Sequence, residues 1–223
     1  GSTPRDEQAV IDHLAEIRRE GFDICEDELD ANVWAIGAPI FGVIRGIGLS
    51  NDGRRGGVLA PSESGQIQAM VAAYEAAGID PATVGLLECH ATGTPVGDAA
   101  EIRSTATVFA ESGDLPIGSL KSNTGHLLTT AGAAGLLKIL GALGSGSRPP
   151  TLHVNEPSAA LDGTPLRPLR ELEDWSGSRR AAISAFGFGG NNAHLIVDAW
   201  TGDTVGSASV PAPRATPEIA VVA

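Results

Sequence analysis

Cysteine is scarce in this sequence, aromatic side chains are few, and positive charge is outnumbered. Only Cys25 and Cys89 occur, with no CxxC spacing, which excludes a disulfide framework and a thiolate zinc site; no metal is expected. Without a secretory-signal pattern, a reducing cytoplasm is the expected setting. Fifteen Lys and Arg against 27 Asp and Glu leave a formal charge of -12. That balance argues against nucleic acid or an anionic membrane surface as a partner. The longest apolar runs, such as Ile219 to Ala223, fall far short of the roughly 20 residues of a membrane helix. What is present is a chain of 223 residues, 42% of them hydrophobic, enough to bury one substantial core.

The pattern along the chain alternates. Residues 1–36 read as an amphipathic helix over Asp6 to Glu20 followed by an acidic lead-in that carries no recognisable chemistry. From 37 to 200 the composition is that of a layered α/β domain. Ile40 to Leu49 is a strand-type run ending at the turn signal Asn51-Asp52-Gly53, and Ser64 to Gly78 is helical, with Ile67, Met70, Val71 and Tyr74 on one face. Val84 to Glu88 forms a strand, Ala99 to Ala110 a helix, Leu115 to Leu120 a strand and Ala131 to Leu143 a helix. In that last helix Gly132, Gly135 and Gly141 each cost on the order of 1 kcal/mol relative to alanine. Close backbone approach must offset them, so the helix is expected to be central and buried. Two short strands around Ala181 to Ser184 and Ala193 to Val197 flank a glycine turn. Residues 201–223 have linker composition, and Pro217 onward reads as the first strand of a following domain in a larger parent polypeptide.

Three loops hold the residues capable of chemistry. The strand through Leu86-Leu87-Glu88 delivers His90 into Ala91-Thr92-Gly93-Thr94. Cys89 and His90 are consecutive on an extended segment, so their side chains point to opposite faces and cannot form a nucleophilic pair. Cys25 lies among Asp23, Glu26, Asp27 and Glu28, a field that raises a thiol pKa. No nucleophile is therefore expected in this chain. A second loop, Lys121-Ser122-Asn123-Thr124-Gly125-His126, follows a strand and precedes the glycine-rich helix, where ligands approach open α/β sheets. Capping of a helix by Lys121 and His126 is the competing structural role. In the third loop, Phe186-Gly187-Phe188-Gly189-Gly190, the spacing is wrong for a dinucleotide fingerprint. A hairpin turn with free backbone N–H groups fits better. His194 on the second strand is expected to pack internally, and His13 and His153 have no supporting neighbours.

In this order, Glu88-Cys89-His90-Ala91-Thr92-Gly93-Thr94, Lys121 to His126 and Phe186 to His194 resemble the C-terminal half of a β-ketoacyl synthase, the condensing enzyme of fatty-acid and polyketide assembly. The wording is most similar to synthases of the polyunsaturated-fatty-acid, glycolipid and iterative polyketide type. The resemblance covers about Ile40 to Trp200. It implies an α/β thiolase-like layered fold of which this chain supplies the C-terminal half, completed by an N-terminal half that carries the nucleophilic cysteine. Ile40 to Leu49 resembles the last strand of that other half.

The chemistry implied is a decarboxylative Claisen condensation of an acyl-cysteine thioester with malonyl-acyl carrier protein. His90 and His126 would donate to the malonyl thioester oxygen. Lys121 would hydrogen-bond with Asp98 or Glu101 and hold the histidine loops in register. Thr92 and Thr94 would contact the phosphopantetheine arm of the carrier protein, the substrate carrier in place of any bound cofactor. Phe188 and Gly189 belong to the turn that would gate the acyl pocket, the Phe188 N–H sharing the oxyanion hole. Two positions depart from the family pattern: Ala91 stands where glycine is usual, and Gly135 where an acid is usual. The implied partners are the cysteine-bearing half, the acyl carrier protein and a second copy of the completed unit. The implied alternative is a non-catalytic, chain-length-factor-like or scaffolding protein, against which the joint presence of His90, Lys121 and His126 counts.

Overall fold

A computed structural model describes residue 12 and residues 23–26, 34–37, 41–53 and 61–201. The helix expected over Asp6 to Glu20, His13 and the strand expected from Pro217 lie outside the described residues, apart from Asp12, which is helical. The acidic lead-in contains a feature that its sequence did not announce: β1 (Asp23–Glu26) pairs antiparallel with β2 (Trp34–Gly37).

The main sheet has six strands in the order β3 (Gly42–Asn51), β10 (Asn191–Ala199), β9 (Arg180–Gly187), β4 (Leu86–Glu88), β5 (Leu115–Gly118) and β7 (Leu166–Pro168). β10 runs antiparallel to both β3 and β9, and β9, β4, β5 and β7 run parallel. β6 (Ser147–Arg148) and β8 (Glu173–Asp174) form a small separate pair. β3 is therefore not a strand of another half, as its sequence implied: it pairs with β10 from Gly42↔Ala199 to Asn51↔Asn191. Its long-range partner could not be read from a local pattern.

Alternation along the central strands sends successive side chains into two cores. On one face Leu87, Ala182 and Ile196 pack with Met70 and Tyr74 of α1 (Glu63–Ala77) and Ile102 of α2 (Pro95–Val108). On the other face Leu86, Ala181, Ile183 and Val197 pack with Ile139, Ala142 and Leu143 of α4 (Ala131–Ser145). α1 starts at Ser62, whose side chain accepts from the Gly65 N–H, and ends at Gly78 in the left-handed conformation. It lies directly on β3, since a Cβ at Gly48 would stand 1.9 Å from the Ala69 carbonyl oxygen and one at Gly46 2.5 Å from that of Ala73. Only glycine admits that approach.

α4 is buried on one face rather than all round. Gly135, Ile139, Ala142 and Leu143 are buried, whereas Leu137 is 71% exposed. A Cβ at Gly135 would meet Glu88 Cγ at 3.1 Å and one at Gly132 would touch Ala185, but Gly141 has nothing within 4 Å. The offset expected for its helix cost is absent there. Leu128–Ser145 also has a mean hydropathy of 1.3 over 18 residues, with 22% of the span buried. By length and composition it could cross a membrane. Counting uninterrupted apolar runs missed it because Thr129, Thr130 and Lys138 break them.

Candidate active site

The parallel run of β9, β4 and β5 brings three loops to one edge of the sheet, because the C-terminal ends of neighbouring parallel strands lie side by side. Glu88 of β4 stands opposite Gly118 of β5 and Ile183 of β9. His90 follows the first strand, Lys121 and His126 the second, and Phe186 to Gly190 the third.

His90 and His126 meet there. Their ring centroids are 5.6 Å apart at an interplanar angle of 80°. The His90 backbone is clamped by Glu101 of α2, whose Oε1 accepts the His90 N–H and whose Oε2 accepts the Ala91 N–H, both at 2.7 Å. The His126 Nδ1 accepts the N–H of Leu128 at 3.0 Å. A backbone N–H can only donate, so that nitrogen offers its lone pair and the proton of the neutral ring sits on Nε2. Burial, with Lys121 and His126 adding to it, lowers the His90 pKa to about 4, so this ring is neutral near pH 7. Two neutral imidazoles set edge to face can each offer one N–H toward a common oxygen.

Lys121 opens the short turn α3 (Lys121–Thr124) and is half-buried. It does not make the hydrogen bond to Asp98 or Glu101 that was expected of it: among the described residues its ammonium has no hydrogen bond or ion pair. It acts on them through the field alone, and burial lowers its pKa against the opposing pull of Glu88 and Glu101. The carboxylates are occupied with backbone instead. Glu101 holds His90 and Ala91, and Asp98 accepts the Gly93 N–H at 3.2 Å. Burial raises the pKa of both, that of Glu101 to about 7.

Thr92 and Thr94 are exposed, their hydroxyls 3.3 Å apart, and among the described residues neither hydroxyl hydrogen-bonds to a histidine. Phe188 is 75% exposed at the tip of the β9–β10 hairpin, next to Gly189 at φ 82°. The ring that packs on His90 is Phe186, at 5.9 Å between centroids. Strand alternation carried the signal for it: Phe186 faces the same way as buried Ser184 and Ala182. Cys89 is a free, buried thiol, its pKa raised above the ordinary range first by burial and then by Glu101 and Glu88. His194 is fully buried between Ser184 (3.1 Å) and the Tyr74 hydroxyl (3.2 Å), as expected. No cluster of metal-ligating side chains exists among the described residues.

One pair escaped sequence reasoning altogether. Glu88 and Lys138 form an ion pair at 2.6 Å with side chains 4% and 9% exposed. An isolated acid in the apolar strand and the sole charge in the apolar helix were the available signal.

The beta-ketoacyl synthase C-terminal domain family matches residues 41–155. A highly reducing polyketide synthase of Emericella nidulans is 42% identical over 190 residues, covering 78% of this chain and 7% of that protein. A polyunsaturated fatty acid synthase component from Thraustochytrium is 41% identical over 177 residues, covering 73% of this chain and 6% of that one. Among solved structures, the ketosynthase from module 6 of the bacillaene synthase of Bacillus subtilis superposes with a TM-score of 0.69 at 36% identity, over 73% of this chain and 32% of that chain. The PfaC keto synthase–chain length factor gives 0.69 at 43% identity, over 74% and 18%. The fold is thus the thiolase-like fold of ketosynthases. The chain belongs to the β-ketoacyl synthase family and contains its C-terminal domain, of the kind found in polyketide and polyunsaturated-fatty-acid synthases. It spans less than a tenth of the two curated relatives, 7% and 6% of their lengths.

Proposed function

We propose that this domain supplies the malonyl-binding half of a decarboxylative condensation site. The approach of the His90 and His126 rings is the observation that carries the reading. An acyl group waits as a thioester on a cysteine of the N-terminal ketosynthase half, and malonyl arrives on the phosphopantetheine arm of an acyl carrier protein. Loss of carbon dioxide leaves its electron pair on the α-carbon, conjugated with the thioester carbonyl as an enolate. The His90 and His126 N–H groups hydrogen-bond to that oxygen and stabilise its charge. The carbon attacks the acyl carbonyl, a C–C bond forms, and the C–S bond to cysteine breaks as the thiolate leaves.

Other residues hold this arrangement. Glu101 fixes the backbone that carries His90, Lys121 keeps positive charge near His90 and so disfavours its imidazolium, and Phe186 covers one side of His90. Thr92 and Thr94 line the rim where the arm would enter, and the turn at Phe188 and Gly189 is placed to open or close over the pocket. The uncovered apolar side chains Ile44, Ile47, Leu49 and Leu137 support the docking of the cysteine-bearing half. A homodimer of the completed unit in a reducing, cytoplasmic setting would keep that cysteine a thiol.

Likeness to a protein described as a keto synthase–chain length factor favours a second reading, a non-catalytic component that shapes the product. Incubating acyl-loaded cysteine-bearing half and malonyl-acyl carrier protein with this domain, then weighing the carrier-bound product, separates the two. A mass gain of one ketide unit that requires this domain and fails in His90→Ala supports the condensing role. The same product from His90→Ala would support the second.

A further inference from the structure

Beneath the two histidines lies a buried pair of opposite charges for which the proposed condensation has no use. Glu88 Oε2 accepts from Lys138 Nζ at 2.6 Å and its Oε1 accepts the Leu120 N–H at 2.6 Å. These contacts join the three elements that deliver the histidines. Glu88 lies on β4 just before His90, Leu120 immediately precedes the α3 turn that leads to His126, and Lys138 sits on α4, the helix that follows His126. Gly135, on the same helix as Lys138, lies close against the Glu88 side chain: a Cβ there would meet Glu88 Cγ at 3.1 Å. Lys121 from α3 and Cys89 of the same segment face this group.

Burial decides what the pair is for. A buried ion pair contributes little net stability over apolar side chains of the same volume, because desolvation offsets the attraction. A carboxylate that receives a backbone N–H and an ammonium in short, charge-assisted bonds does fix geometry. We infer that Glu88 and Lys138 form a brace that sets the approach of the His90 and His126 loops, acting as positioning residues. This rests on the condensation reading for its rate measurement and on nothing beyond the geometry for its structural one.

The test uses this chain assembled with the cysteine-bearing half and labelled with 13C-histidine. Four forms are compared: the parent, Glu88→Gln/Lys138→Met, Glu88→Leu/Lys138→Met and Gly135→Ala. Both double variants remove the buried charges, but only glutamine keeps an acceptor for the Leu120 N–H. The Gly135→Ala change adds a methyl group 3.1 Å from Glu88 Cγ and removes no charge. The Leu/Met and Gly135→Ala forms are expected to shift the His90 and His126 signals together and to lower kcat for malonyl decarboxylation roughly 10- to 100-fold, with KM within about threefold. The Gln/Met form keeps the tie to Leu120 but loses the one to α4, so its loss should be smaller than that of Leu/Met, about three- to tenfold. Unshifted histidine signals in Leu/Met and Gly135→Ala, or equal loss in both double variants, would overturn the brace. If Leu/Met does not fold, Gly135→Ala decides alone. If the assembled parent releases no carbon dioxide, the functional reading fails while the histidine signals still decide this one.

Discussion

Glu101 holds the backbone of His90 with a carboxylate that burial makes reluctant to ionise. Its Oε1 takes the His90 N–H at 2.7 Å, its Oε2 takes the next N–H along, and its pKa stands near 7 against an ordinary 4.5. The clamp that fixes the His90 ring is thus also a group whose burial brings its titration near neutral pH.

The sign of its effect on stability follows. With a folded pKa above the unfolded one, the folded state binds the proton more tightly, so Glu101 lowers stability as pH rises from about 4.5 to about 7. His194 and His90 act oppositely. Burial lowers their pKa values to about 3 and about 4 from 6.5, so their contribution is complete above 6.5 and is lost as pH falls. Together the three place a stability maximum near pH 6.5. In Glu101→Gln the decline above that pH should vanish and the slope below it should steepen, read from urea midpoints at pH 5, 6, 6.5 and 7.5. An unchanged profile would contradict the assignment.

Close packing of α1 on β3 gives a second prediction. Gly48→Ala places a methyl group 1.9 Å from the Ala69 carbonyl oxygen, and overpacking against backbone costs about 1–3 kcal/mol or more. Gly113→Ala has nothing within 4 Å and no positive φ, and should change stability by under about 1 kcal/mol. Chemical denaturation of the two variants gives the comparison. Equal midpoints would show that the helix can move away.

Leu137 tests the uncovered face. It is 71% exposed on α4, so Leu137→Asp should leave the melting temperature of this chain alone within a few degrees while abolishing association with a cysteine-bearing half, measured by sedimentation. Association of undiminished affinity would place the partner elsewhere.

Phe186→Leu keeps a buried apolar side chain but removes the ring 5.9 Å from His90. A decarboxylation rate about tenfold lower is expected, with Phe188→Leu altering the entry of acyl groups more than decarboxylation. Equal effects in that assay would show that the two phenylalanines share one role.

The sequence disclosed the local features well. The strand into His90, the hairpin around Gly187 to Gly190 and the helix from Glu63 to Gly78 each follow from periodicity, caps or turn residues within a few positions. Relations between distant segments were hidden. Glu88 and Lys138 are 50 residues apart, and nothing in either segment names the other. The place of β3 depends on pairing with β10 at the far end of the chain. Phe188 drew attention as the middle of a glycine-rich motif, whereas strand alternation gave the inward position to Phe186. Asp98 and Glu101 were identified as supports, but backbone N–H groups claimed both before Lys121 could.

The proposed condensation requires the His126 ring to donate from Nε2 to a developing negative charge. Its most direct test is the rate of carbon dioxide release from malonyl-acyl carrier protein by this domain assembled with a cysteine-bearing half, compared between the parent and His126→Ala. The proposed condensation predicts a fall of about 100- to 1000-fold, the loss typical of removing one such donor. A rate in His126→Ala equal to that of the parent would contradict it.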